Sequence, residues 1–117
     1  MKLIKVGIIG YGKMGIIRHD ALNKDPRSKV VSIYDPELKN IDLEIDIMES
    51  AEQVLGSGID AVFICTPNHI IKELVIKSLK RGINVFSEKP PGINIEEILE
   101  IEAMERKIKN KTLMFGF

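Results

Sequence analysis

Short runs of bulky apolar residues alternate along this chain with longer stretches whose apolar positions recur at helical spacing. The first run, Leu3 to Ile9, carries Val6, Ile8 and Ile9 and reads as a buried strand that stops at Gly10. Further strands are predicted at Val30–Tyr34, around Ile45–Met48, at Ala61–Cys65, at Asn84–Ser87 and at Thr112–Phe117. Between them a helix is predicted from about Gly12 to Asn23. Asp25-Pro26 closes it, because the residue before a proline avoids the α region. Ser50, with Gln53 three positions on, forms a capping box for a short helix ending near Gly56. The next helix runs from about Asn68 to Arg81, with an apolar face of Ile71, Leu74, Val75, Ile76 and Leu79. Gly82 suits the left-handed position after its last turn. Pro90, Pro91 and Gly92 make a stiff loop. Asn94 and Glu97 then open a last helix with a buried stripe of Ile98, Leu99, Ile101, Met104 and Ile108.

Strands rich in Val and Ile alternating with helices are the mark of a parallel sheet covered on both faces. Six strands with five crossovers match an α/β doubly wound parallel sheet, a Rossmann fold of strand order 3-2-1-4-5-6. Residues 1–117 read as one domain without linker, repeat or low-complexity segment.

Composition narrows the function classes. Seventeen basic and seventeen acidic residues give a formal net charge of zero, which argues against a nucleic-acid partner. Lys107, Lys109 and Lys111 lie where cations complement a helix dipole. No apolar stretch approaches the ~20 residues of a membrane span, and the start of the chain does not resemble a signal peptide. Cys65 is the only cysteine; it falls in an apolar run, is expected to point into the core, and suits a reducing, cytoplasmic setting. His19 and His69 are far apart and nothing has metal-ligand spacing.

Chemistry concentrates at strand ends. Gly10-Tyr11-Gly12-Lys13-Met14-Gly15 is a G-x-G-x-x-G that follows a strand and opens a helix. Gly10 allows the tight turn, Gly12 lets backbone approach a pyrophosphate, and Gly15 lets helix pack on strand. The first helical amides then face the phosphate oxygens. Asp35 ends the second strand, twenty positions after Gly15, near the spacing of a carboxylate that accepts the adenosine ribose hydroxyls. It would repel the 2′-phosphate of NADP, so NAD is expected; an Asx turn before Pro36 is the competing reading. Thr66, Pro67, Asn68 and His69 follow the fourth strand, beside the switch point where ligands bind. They are candidates for ribose or carboxamide contact, or for a plain helix cap. Glu88-Lys89-Pro90 follows the fifth strand, where a lysine can orient a substrate hydroxyl or move its proton.

Together, the glycine loop, Asp35, Thr66-Pro67-Asn68 and Glu88-Lys89-Pro90 resemble the N-terminal domain of the Gfo/Idh/MocA oxidoreductases. The resemblance covers the whole chain, and Glu88-Lys89-Pro90 is its most specific part. It implies that Lys89 lies by nicotinamide and substrate in a catalytic role, and that Glu88 and residues 66–69 contact the cofactor. It implies a parent enzyme moving a hydride between NAD and a sugar, polyol or related hydroxyl. A histidine like His19 is frequent on the family's first helix, where a structural or phosphate-adjacent role is expected; Ile71 stands where members often carry another histidine. The family's second α/β domain supplies most of the substrate pocket, further catalytic residues and the oligomer interface. None of these is expected within residues 1–117, so the chain alone should bind NAD and turn over slowly or not at all. A free-standing NAD(H)-binding module without chemistry is the alternative. A methyltransferase would share the loop and the acid but gives no reason for Glu88-Lys89-Pro90.

Overall fold

The computed structural model describes residues 3–38, 45–66, 68–88, 96, 99, 103, 106 and 113–116. Its sheet has six parallel strands in the order β3-β2-β1-β4-β5-β6. The strands are β1 (Ile4–Ile9), β2 (Ser28–Tyr34), β3 (Asp46–Ile47), β4 (Ala61–Ile64), β5 (Asn84–Glu88) and β6 (Leu113–Gly116). Helices with described bounds are α1 (Lys13–Lys24), α2 (Ala51–Leu55) and α3 (Asn68–Lys80), and Glu96, Leu99, Ala103 and Arg106 are helical as well. This is the doubly wound topology expected from the alternation of strands and helices.

Two apolar layers sandwich the sheet. Ile9, Val62, Ile64 and Val85 pack with Val54 and Leu55 of α2 and with Ile71, Leu74, Val75 and Leu79 of α3. The other face carries Ile8, Val30 and Ile33, backed by Leu22 of α1, Tyr11 and Phe63. Strand β2 starts two residues earlier than the apolar run, because Ser28 and Lys29 pair with Ile4 and Lys5 despite their polarity. A bulge between Val6 and Gly7 shifts that register. Gly7 also leaves room for α2, since a Cβ there would lie 2.5 Å from Val54 Cγ1.

The caps follow the residues. Ser50 Oγ accepts the Gln53 amide at 3.1 Å, and the Gln53 side chain accepts from the Glu49 amide at 2.7 Å. The capping box thus reaches one residue further back than its usual form. Gly82 has φ 74°, and the Ile83 amide donates to the Ser78 carbonyl at 3.0 Å, closing α3.

The last helix brings a correction. Glu96, Leu99, Ala103 and Arg106 are helical and exposed, and Leu99 is 55% accessible. Leu99 therefore shares the outward face with its neighbours at three- and four-residue spacing instead of the buried stripe. Ile98, Ile101, Met104 and Ile108 lie outside the described residues. Among those that are described, no helix is long and apolar enough to cross a membrane.

Candidate functional site

Parallel strands all deliver their carboxyl ends to one edge, and the topology reverses between β1 and β4. A cleft of about 570 Å³ opens there, within the usual range for small-molecule sites. It is lined by Gly10 and Gly12 from the loop after β1, by Tyr34 to Glu37 at the end of β2, by Cys65 and Thr66 after β4, and by Ile70, Glu73 and Leu74 of α3.

The glycine loop has the geometry its spacing implied. Gly10 has φ 95°, and a Cβ there would sit 2.6 Å from the Cys65 carbonyl oxygen. At Gly15 a Cβ would strike the Gly10 carbonyl, so α1 packs closely on the strand end. At Gly12 no described residue lies within 4 Å of that position, and the backbone there is bare. Gly12 is the N-cap of α1, no side chain among the described residues caps the helix, and its first turn carries no acid. The leading amides and the positive end of the dipole are left for an anion. Lys13 and Met14 are exposed beside them.

Asp35 joins this loop directly. Its Oδ2 accepts the Tyr11 amide at 2.6 Å and its Oδ1 accepts the Glu37 amide at 2.8 Å. The Asx turn is therefore present, and it leaves each oxygen a lone pair for a further donor. The Tyr11 hydroxyl meets His19 Nδ1 at 2.7 Å, and His19 is buried on α1. The described charged groups lining the cleft are Asp35, Glu37 and Glu73, all acidic.

Thr66 presents a buried Oγ1 with no hydrogen-bond partner among the described residues, on the wall of the cleft. Buried hydroxyls are rarely left so, and a polar ligand in the cleft would satisfy it. Cys65 corrects its expected place: it is half-buried and lines the cleft instead of the core. Burial, with a smaller push from the Glu88 carboxylate and opposed by Arg18, holds its thiol up at about 12. Strand β4 ends one residue before it, although the Cys65 amide still donates to the Ile9 carbonyl at 2.8 Å.

Glu88 closes β5, one residue beyond the predicted end of that strand. Its carboxylate is paired with Arg18 of α1, Nε to Oε1 at 2.6 Å. Arg18 was not a candidate from sequence. Its partner is 70 positions away, and nothing local sets it apart from Lys13 and Lys24, the other cations of the same helix. Pro67 and Lys89 lie outside the described residues; Asn68 and His69 open α3. Among the described residues, no group of three or more His, Cys, Asp or Glu side chains is placed to hold a metal ion.

Comparison with known proteins agrees with this geometry. The model of the oxidoreductase family, NAD-binding Rossmann fold, matches residues 4–117. The chain is 33% identical over 103 residues to 2,7-anhydro-N-acetylneuraminate hydratase of Escherichia coli, covering 85% of this chain and 28% of that protein. It is 27% identical to inositol 2-dehydrogenase of an Arthrobacter species, covering 97% of this chain and 36% of the relative. The structure of scyllo-inositol dehydrogenase from Lactobacillus casei with bound NAD(H) and scyllo-inositol superimposes with a TM-score of 0.88 at 27% identity. That match covers 98% of this chain and 36% of the other. The chain thus spans about a third of the length of the relatives it matches. With a doubly wound sheet, an uncapped glycine-loop helix and a family match over nearly all its residues, the chain belongs to the Gfo/Idh/MocA oxidoreductases as an NAD-binding Rossmann domain.

Proposed function

We propose that residues 1–117 form the cofactor half of an NAD-dependent dehydrogenase acting on a sugar, polyol or related hydroxyl compound. The observation that carries this is the pairing of bare backbone at Gly12 with the orphaned Thr66 hydroxyl, on two walls of one cleft. When bound, NAD supplies a nicotinamide ring that accepts a hydride from a carbinol carbon or returns one. The glycine loop and α1 amides bind the pyrophosphate, and Asp35 accepts the ribose hydroxyls with its spare lone pairs. Glu37 and Glu73 add negative charge on the same cleft, so a 2′-phosphate meets three carboxylates instead of one. Thr66 Oγ1 donates to the cofactor from the β4 side. The resemblance of Glu88-Lys89-Pro90 to the family motif assigns Lys89 Nζ to the substrate hydroxyl, where it holds or takes up the proton as the hydride leaves carbon.

The inositol dehydrogenases among the relatives support a polyol substrate, while the hydratase shows that the fold also serves another reaction class. The test is NADH formation at 340 nm by the gene product supplied with NAD and a panel of inositols and sugars. Lys89→Met should lower kcat by at least about a hundredfold, the usual scale for a lost proton-transfer group. A kcat that survives this change would refute the role of Lys89. Dehydration without net NADH formation would move the protein to the hydratase class.

A further inference from the structure

Arg18 leaves the second turn of α1 and reaches the end of β5. Its Nε donates to Glu88 Oε1 at 2.6 Å, and the two side chains are only 32% and 14% exposed. The guanidinium also lies over the Phe86 ring, 4.7 Å from its centroid. Phe86 in turn stacks on Phe63 of β4, with centroids 4.7 Å apart and planes 21° from parallel. Residues two apart on a strand share a face, so Phe86 supplies the platform and Glu88 the anchor for one cation. A guanidinium can stack on a ring and donate from its edge at once, which an ammonium cannot. Both charges are felt at the Cys65 thiol, which places the pair at the carboxyl ends of β4 and β5. Asp35 and Glu37, by contrast, stand at the end of β2. Glu88 is the last residue of β5, and Lys89 follows it in the chain.

We propose that Arg18 is a positioning residue for the nicotinamide end of the cleft. It holds the Glu88 carboxylate, and with it the strand end from which Lys89 departs. The same contact ties that strand end to the helix whose N-terminus receives the pyrophosphate. The proposal rests on the reading of Glu88 and Lys89 given above.

The test compares NADH with ADP-ribose, which keeps the adenosine and both phosphates but lacks the nicotinamide. Calorimetric titrations of the wild-type chain, Arg18→Leu and Arg18→Lys read the difference. Arg18→Leu should weaken NADH about tenfold, the effect of one lost charge-assisted hydrogen bond. ADP-ribose should change by less than about twofold, since its contacts lie elsewhere. Arg18→Lys should recover part of the NADH affinity, because it keeps the charge and loses the stacked plane. Equal losses for both ligands, or none for either, would overturn the proposal. If thermal melting shows that Arg18→Leu is unfolded, Phe86→Leu removes the platform under the cation and should give the same NADH-selective loss. A wild-type chain that binds neither ligand would refute the cofactor reading itself, a result distinct from the others.

Discussion

At the scale of single residues, His19 shows how a polar side chain on an apolar face is satisfied and what that costs. Its ring is buried, with Nδ1 against the Tyr11 hydroxyl at 2.7 Å. Burial lowers its pKa from 6.5, partly opposed by the neighbouring Asp20 carboxylate. The unfolded chain therefore takes up a proton near pH 6.5 that the folded chain refuses, so stability is full above that pH and falls as pH drops through it. Melting curves between pH 7.5 and 5.5 should show this loss, and His19→Gln should flatten the slope; parallel slopes would contradict it. Tyr11 thereby carries two tethers, since its amide is held by Asp35. The chemistry at strand ends was legible because each group adjoins a strand terminus in sequence. The Arg18–Glu88 pair was not, because residues 70 apart meet only through the parallel pairing of β1, β4 and β5.

At the scale of elements, the loop between β1 and α1 separates what glycine does for folding from what it does for binding. A methyl at Gly15 would collide with the Gly10 carbonyl, and α1 would have to lift off the sheet. A methyl at Gly12 meets no atom of the described residues, and its φ of −83° suits any residue. Gly15→Ala is expected to cost about 2 kcal/mol or more of stability, as overpacking at backbone does. Gly12→Ala should cost less than about 1 kcal/mol at the N-cap, yet weaken NAD strongly by standing in the path of the pyrophosphate. Denaturant melts and NAD titrations of the two variants would check this; equal effects on both quantities would contradict it. Element order followed from alternation and turn residues alone. Boundaries were less readable where pairing overrode polarity, as at Ser28 and Lys29 in β2. Exposure on the last helix misled for a related reason: Leu99 is apolar but lies in line with Glu96, Ala103 and Arg106.

At the scale of the whole molecule, a sheet with apolar layers on both faces leaves its carboxyl edge as the place where polar groups gather. The end of that edge beside β2 is acidic, and the helix that the neighbouring loop opens starts with Gly12 as its N-cap and no acid in its first turn. This division of charge suits a dinucleotide with an internal pyrophosphate and an adenosine ribose that carries no 2′-phosphate. The most direct test is a calorimetric titration of the 117-residue chain with NAD and with NADP. One site per chain is expected, with NAD bound at least about tenfold more tightly, the ratio that 1.4 kcal/mol of repulsion produces. Equal affinity for the two cofactors, or binding of neither, would contradict it.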